Sequence, residues 1–179
     1  MKTNCTNPSK NPPLYLLILI WMLFNSSTTD YPVQQYEPYK PILVTRTVLE
    51  TSIKNASPRG LSEIGKFYFK DNIIFIVEKY KGIHVINNSN PAKPENVTFI
   101  VMLGCIDICI KNNILYADNA VDLVGVDIAD IYHVKEVSRE RNVFPELTPP
   151  DGSYYYAKDG RPKNTVIIQF VKNDTYYEN

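Results

Sequence analysis

Cysteine, histidine and aspartate are the side chains of this chain best equipped for chemistry. Cys105 and Cys109 form a C-x-x-x-C pair, a spacing open to a metal site or a redox dithiol. On one strand they share a face about 13 Å apart, well beyond the ~7 Å between Cα atoms that a disulfide tolerates. They read as two small apolar residues of a core strand. His84 and His133 have no third ligand at a matching spacing, so no zinc site is expected and each reads as a surface or half-buried histidine. Asp118, Asp122, Asp127 and Asp130 crowd one stretch. Calcium would take about six to eight oxygens, but the spacing is not that of a calcium loop with its glycine. Asp127 and Asp130 read instead as turn residues whose side chains bond nearby backbone amides, as do Asn87 and Asn90 earlier in the chain. A glycine-rich phosphate loop and a nucleophile elbow are both missing. No catalytic, cofactor-binding or metal residue is assigned, and no cofactor is expected.

Those turn residues belong to a stretch that occurs twice. Asp71-Asn72-Ile73-Ile74-Phe75 matches Asn112-Asn113-Ile114-Leu115-Tyr116, displaced by about 41 positions. Gly82 to Asn87 matches Asp122 to Asp127, and Asn90 with Val97 matches Asp130 with Val137, displaced by about 40. The one-residue slip falls between Glu78 and Lys81, where a hairpin turn absorbs it without reversing the face of the next strand. Phe67, Phe69, Ile74, Ile76, Ile83 and Val85 alternate as in strands and not at a helical spacing. Expected strands are Lys66 to Phe69, the Ile73 and Gly82 runs and Val97 to Leu103, then Asp107 to Ile110, the Ile114 and Asp122 runs and Val134 to Ser138. Four short strands in roughly 40 residues is the content of one propeller blade. The expected fold is all-β, with two four-stranded antiparallel propeller-like blades forming an incomplete or partial β-propeller, preceded by a signal-peptide helix.

Gly-Ile-His-Val-Ile-Asn-Asn-Ser-Asn-Pro at 82–91 and Asp-Leu-Val-Gly-Val-Asp-Ile-Ala-Asp at 122–130 resemble the LVIVD repeat, an apolar strand followed by Asp and often Pro. The span from Pro41 to Phe144 is similar to the N-terminal part of bacterial LVIVD-repeat lipoproteins, uncharacterised in activity for the most part. The resemblance implies a propeller-like fold and an exported, cell-envelope protein. Asn87 stands where the second copy has Asp127, and Ile131 replaces Pro91.

Residues 1–29 read as a signal peptide or N-terminal membrane segment: a polar start with Lys2 and Lys10, then an apolar run from Leu14 to Phe24. That run is shorter than the roughly 20 residues of a membrane-crossing helix. Cleavage is expected near Ser27 or Thr28. The lipid-accepting Cys implied by the resemblance is absent there, since Cys5 lies on the other side of the run. Residues 30–41, with three prolines among tyrosines, read as an extended linker. Residues 42–144 are the LVIVD-like β-repeat domain, with Pro41 to Val48 as its first strand and a short helical turn over Leu49 to Lys54. Residues 145–179 read as a loop with a possible closing strand, Thr165 to Val171, and a polar tail.

Lys+Arg and Asp+Glu number 19 each, and such a balance argues against a nucleic-acid binder. The expected role is that of a non-catalytic binding module, in the periplasm, at the outer-membrane surface or secreted, with a protein or glycan partner. Tyr36, Tyr80, Tyr154, Tyr155 and Tyr156 are the candidate contacts, because tyrosine joins a large apolar area to a polar tip. Membrane association is expected only through the N-terminal segment. Open blade edges invite self-association. The alternative is an enzyme with an active site in the channel of a longer or assembled propeller, which would need the same acid, base or ligand at the inner positions of several blades. Glycosylation triplets at Asn55, Asn87, Asn96 and Asn173 matter only in a eukaryotic secretory pathway.

Overall fold

Alternating apolar residues separated by tight polar turns build antiparallel strands here, and their turns decide the architecture. The computed structural model describes residues 38–152 and 161–173, all within the unit Glu37–Asn179. The signal-peptide stretch therefore lies outside the described residues. In chain order the elements are β1 (Tyr39–Thr45), α1 (Arg46–Glu50), β2 (Lys54–Ala56), β3 (Ile64–Lys70), β4 (Ile73–Glu78), β5 (Gly82–Asn87), β6 (Glu95–Val101), β7 (Ile108–Lys111), β8 (Ile114–Asn119), β9 (Asp122–Asp127), β10 (Lys135–Glu140) and β11 (Thr165–Lys172). The protein is all-β with antiparallel sheets. A first sheet runs β2-β6-β5-β4-β3, a second β10-β9-β8-β7, and β1 pairs with β11. None of these sheets closes on itself.

The first sheet has five strands where four are expected. Lys54–Ala56 leaves the short helix early and pairs with β6, Lys54 opposite Val101. The expected closing strand, Thr165 to Val171, joins neither large sheet but pairs with β1, Tyr39 opposite Lys172. Leu49 of α1, Val166 and Ile168 of β11, and Ala120 and Val121 of the β8–β9 turn form a small apolar cluster that anchors this pair.

The two large sheets share backbone details. Asp71 and Asn112 both take positive φ (53° and 55°) in the turns before β4 and β8, and Tyr80 and Ala120 do so (67° and 58°) in the turns before β5 and β9. Asn88 N donates to Asn72 O at 2.7 Å, and Ile128 N to Asn113 O at 2.9 Å. β5 and β6 shift register between Val85–Thr98 and Ile86–Asn96, leaving Val97 as the bulged residue. β9 and β10 shift between Gly125–Ser138 and Val126–Glu136, leaving Val137.

Alternation gives each sheet two faces. Phe75, Val77, Ile83, Val85 and Ile100 of the first sheet pack with Ile108, Leu115, Ala117, Val124 and Val126 of the second in one core. Asn55 of β2 ties the sheets laterally: its Nδ2 donates to Ile131 O at 2.8 Å, and its Oδ1 accepts from Val134 N at 2.9 Å.

Candidate functional site

The second sheet leaves its other face outward. On β7, Ile108 is buried and Ile110 packs against the core, so alternation turns Cys109 out to solvent. Tyr116 stands opposite Cys109 on β8, and Gly125 opposite Tyr116 on β9. The segment 144–148, held by Phe144 N donating to Val121 O at 3.0 Å, runs beside this face. Between them lies a groove of about 490 Å3, lined by Cys109, Tyr116, Asp118, Leu123, Phe144 and Leu147 among others. That volume is in the range of small-molecule sites, but the groove is open and mainly apolar. Its carboxylates are engaged. Asp118 accepts from the backbone N–H groups of Ile106 and Asp107 at 2.8–3.0 Å, and burial pushes its pKa up against those bonds. Glu146 takes a two-pronged ion pair from Arg161, at 2.8 and 2.6 Å, which holds its carboxyl below the usual range.

Two buried carboxylates lie near the tight hairpin ends of the sheets. Glu78 accepts from His84 Nε2 at 2.8 Å, Ser62 Oγ at 2.9 Å and Arg59 Nε at 3.1 Å, and pairs with Lys81 Nζ at 3.1 Å. Burial alone would raise its pKa. Hydrogen bonds from Ser62, Lys81 and His84, with the Arg59 charge, outweigh burial and lower it from 4.5 to about 2. The Arg59 guanidinium also stacks 3.9 Å above the Phe99 ring. In the second sheet Asp122 is gripped by Arg46 at 2.6 Å and Arg139 at 2.8 Å, with Asn142 N at 3.0 Å. These donors outweigh burial and lower its pKa. Both networks are closed on themselves, each oxygen facing donors from the chain.

His84 is fully buried, not at the surface or half-buried. Arg59 and Ser62 of the 57–63 segment bond the same Glu78 carboxylate that His84 meets, Arg59 lies over the neighbouring Phe99 ring, and Asn96 Nδ2 reaches His84 Nδ1 at 3.3 Å. His133 is exposed and pairs with Asp130 at 2.8 Å. The cysteines do not share a core strand. β7 begins only at Ile108, so Cys105 lies in the preceding connection, where it is buried and its thiol is pushed well above the ordinary value by burial. Cys109 is exposed on the groove floor.

Asn87 Oδ1 accepts from Ser89 N at 3.0 Å and Asn90 Oδ1 from Ala92 N at 3.1 Å. Asp127 Oδ1 accepts from Ala129 N and Asp130 Oδ1 from Tyr132 N, each at 2.9 Å. Tyr80 is half-buried in the β4–β5 turn, where its N–H donates to Cys105 O at 2.7 Å and its carbonyl accepts from Gly104 N at 2.8 Å. Tyr36 and Tyr154, Tyr155 and Tyr156 lie outside the described residues. Among the described residues no three His, Cys, Asp or Glu side chains converge on a metal-sized site, and no helix is long and apolar enough to cross a membrane.

The groove has no local mark in the sequence, because its walls come from three strands and the distant 144–148 segment. The signal that could have found it is the outward register of Cys109 and Tyr116. No protein-family model, curated protein or solved structure matches the chain.

Proposed function

We propose that the chain is a non-catalytic, exported interaction module, similar to LVIVD-repeat proteins, in which the two large sheets are successive blades of an incomplete β-propeller. Its partner is a protein that places apolar side chains in the groove over Cys109, Tyr116 and Leu123. The observation that carries this reading is the division of labour among side chains. Glu78, Asp118, Asp122 and Glu146 are each bound to donors within the chain, whereas large apolar side chains, Phe67 and Phe69 among them, stand exposed on the sheets beside charged ones such as Lys66. Exposed apolar area beside carboxylates that are already bound within the chain suits recognition better than turnover. The shared turns and bulges at Asp71 and Asn112, Tyr80 and Ala120, and Val97 and Val137 support the blade reading.

The test is selection of displayed random peptides on the full chain. Enriched peptides should carry aromatic and aliphatic residues, and Leu123→Lys should abolish their binding while leaving the circular dichroism spectrum unchanged. Peptides that bind Leu123→Lys as well as the parent, or no enrichment, would count against the proposal.

A further inference from the structure

We infer that a second copy of this chain fills the groove, stacking the outer face of its β3 and β4 on the β7–β8 face of the first. The inference deepens the proposed function and rests on the blade reading given there.

The interface inside one chain supplies the template. With a displacement of about 41 residues, the core-facing residues Tyr68 and Phe75 of the first sheet correspond to the outward Cys109 and Tyr116 of the second. The core-facing Ile108, Ile110 and Leu115 of the second sheet correspond to Phe67, Phe69 and Ile74 on the outer face of the first. One sheet's back therefore already meets the other's front within the chain, and among the described residues one back and one front remain unpaired. Phe67 and Phe69 are 64% and 59% exposed, with their rings 5.6 Å apart edge to face. Ile74 and Ile76 stand opposite them on β4, half-buried.

The covered parts of the two open faces also match. On the first sheet the 57–63 segment covers Glu78 at the end of β4 and the side over His84 and Phe99, and leaves Phe67 and Phe69 on β3 exposed. On the second sheet the 144–148 segment runs beside the β8–β9 turn and leaves Cys109 on β7 exposed. Charge fits the same arrangement. Lys66 pairs with Asp107 inside the chain while both side chains stay more than half exposed, 66% and 54%. In the stack each meets its counterpart from the next copy, extending the pair into an alternating row.

Such a contact joins two different faces, so it leads to a ring or an open filament and not to a symmetric dimer. Two phenylalanines bury roughly 150–250 Å2 each, against roughly 800 Å2 per partner in a standard interface. The association is therefore concentration-dependent.

The internal hydrogen bond from Tyr68 Oη to Ile110 O, 3.0 Å long, locates the cross-link that tests this. Its counterpart between copies sets Cys109 against position 69. Phe69→Cys in a full-length Cys5→Ser background, treated with a bis-maleimide that spans the ~10 Å between packed sheets, should give a ladder of dimers and higher multimers. Peptide mapping should join position 69 to Cys109, and Cys109→Ser should remove the ladder. Val48→Cys, exposed on α1 and on neither sheet face, sets the level of random collision. A ladder no stronger than that control, or links joining 69 to 69, would overturn the stacking. Peptide binding that Leu123→Lys abolishes would then still stand, which separates failure of the stacking from failure of the interaction module.

Discussion

Glu78 concentrates more of the protein's electrostatics than any other described residue. Its carboxyl, at about 2 in place of 4.5, is ionised more readily folded than unfolded, so it stabilises the fold above the unfolded value. That stabilisation drains away as pH falls from about 5 through about 2. Glu78→Gln removes the negative charge that Arg59 and Lys81 face and replaces one of the two accepting oxygens with a donor, and should cost about 3 kcal/mol at neutral pH. Denaturant titrations should show the parent losing stability on acidification and the variant following a flatter curve over the same interval. Gly82 is the second residue on which the same hairpin depends. Its φ is +150°, and a Cβ there would lie 2.1 Å from Ile100 O. Gly82→Ala should therefore cost more than about 2 kcal/mol, whereas Gly60→Ala, with open space around it, should leave the unfolding midpoint nearly unchanged.

Among the elements, β2 acts as a tie between sheets out of proportion to its length. Asn55 holds Ile131 O and Val134 N of the β9–β10 connection, so Asn55→Ala should cost about 2 kcal/mol through two unsatisfied backbone groups. Amide exchange at Val134 should quicken, while that of β4 and β5 stays slow. Asn55 also shows where sequence reading stopped. Strands β4, β5, β8 and β9 were legible because a buried sheet face imposes alternation, and the polar pairs Asp71-Asn72 and Asn112-Asn113 mark their turns. Lys54-Asn55-Ala56 has no alternation to read, because its place is set by one side chain reaching another sheet. The pairing of β1 with β11 is equally silent locally, since it joins strands from opposite ends of the domain. At the candidate site, Cys105 and Cys109 looked alike by spacing, and the start of β7 at Ile108 separates them. His84 reads as a surface or half-buried residue because polarity, taken without its partners, points to solvent, whereas it lies fully buried against Glu78.

At the scale of the molecule, two sheets with a shared core and a small β1–β11 pair leave, among the described residues, apolar side chains open on the outer face of each large sheet, Phe67 and Phe69 on the first and the groove over Cys109 on the second. Those faces correspond to the two sides of the interface already buried inside the chain. On the proposal made above, the outer faces are contact surfaces, and each fits the other. Light scattering after chromatography, on the full chain over a range of concentrations, tests it most directly when run beside the double variant Phe67→Ser, Phe69→Ser. The account predicts a parent mass that rises with concentration as multiples of the chain, and a double variant that stays monomeric with the same circular dichroism spectrum. A parent that remains monomeric at every concentration, or a double variant that associates as the parent does, would contradict it.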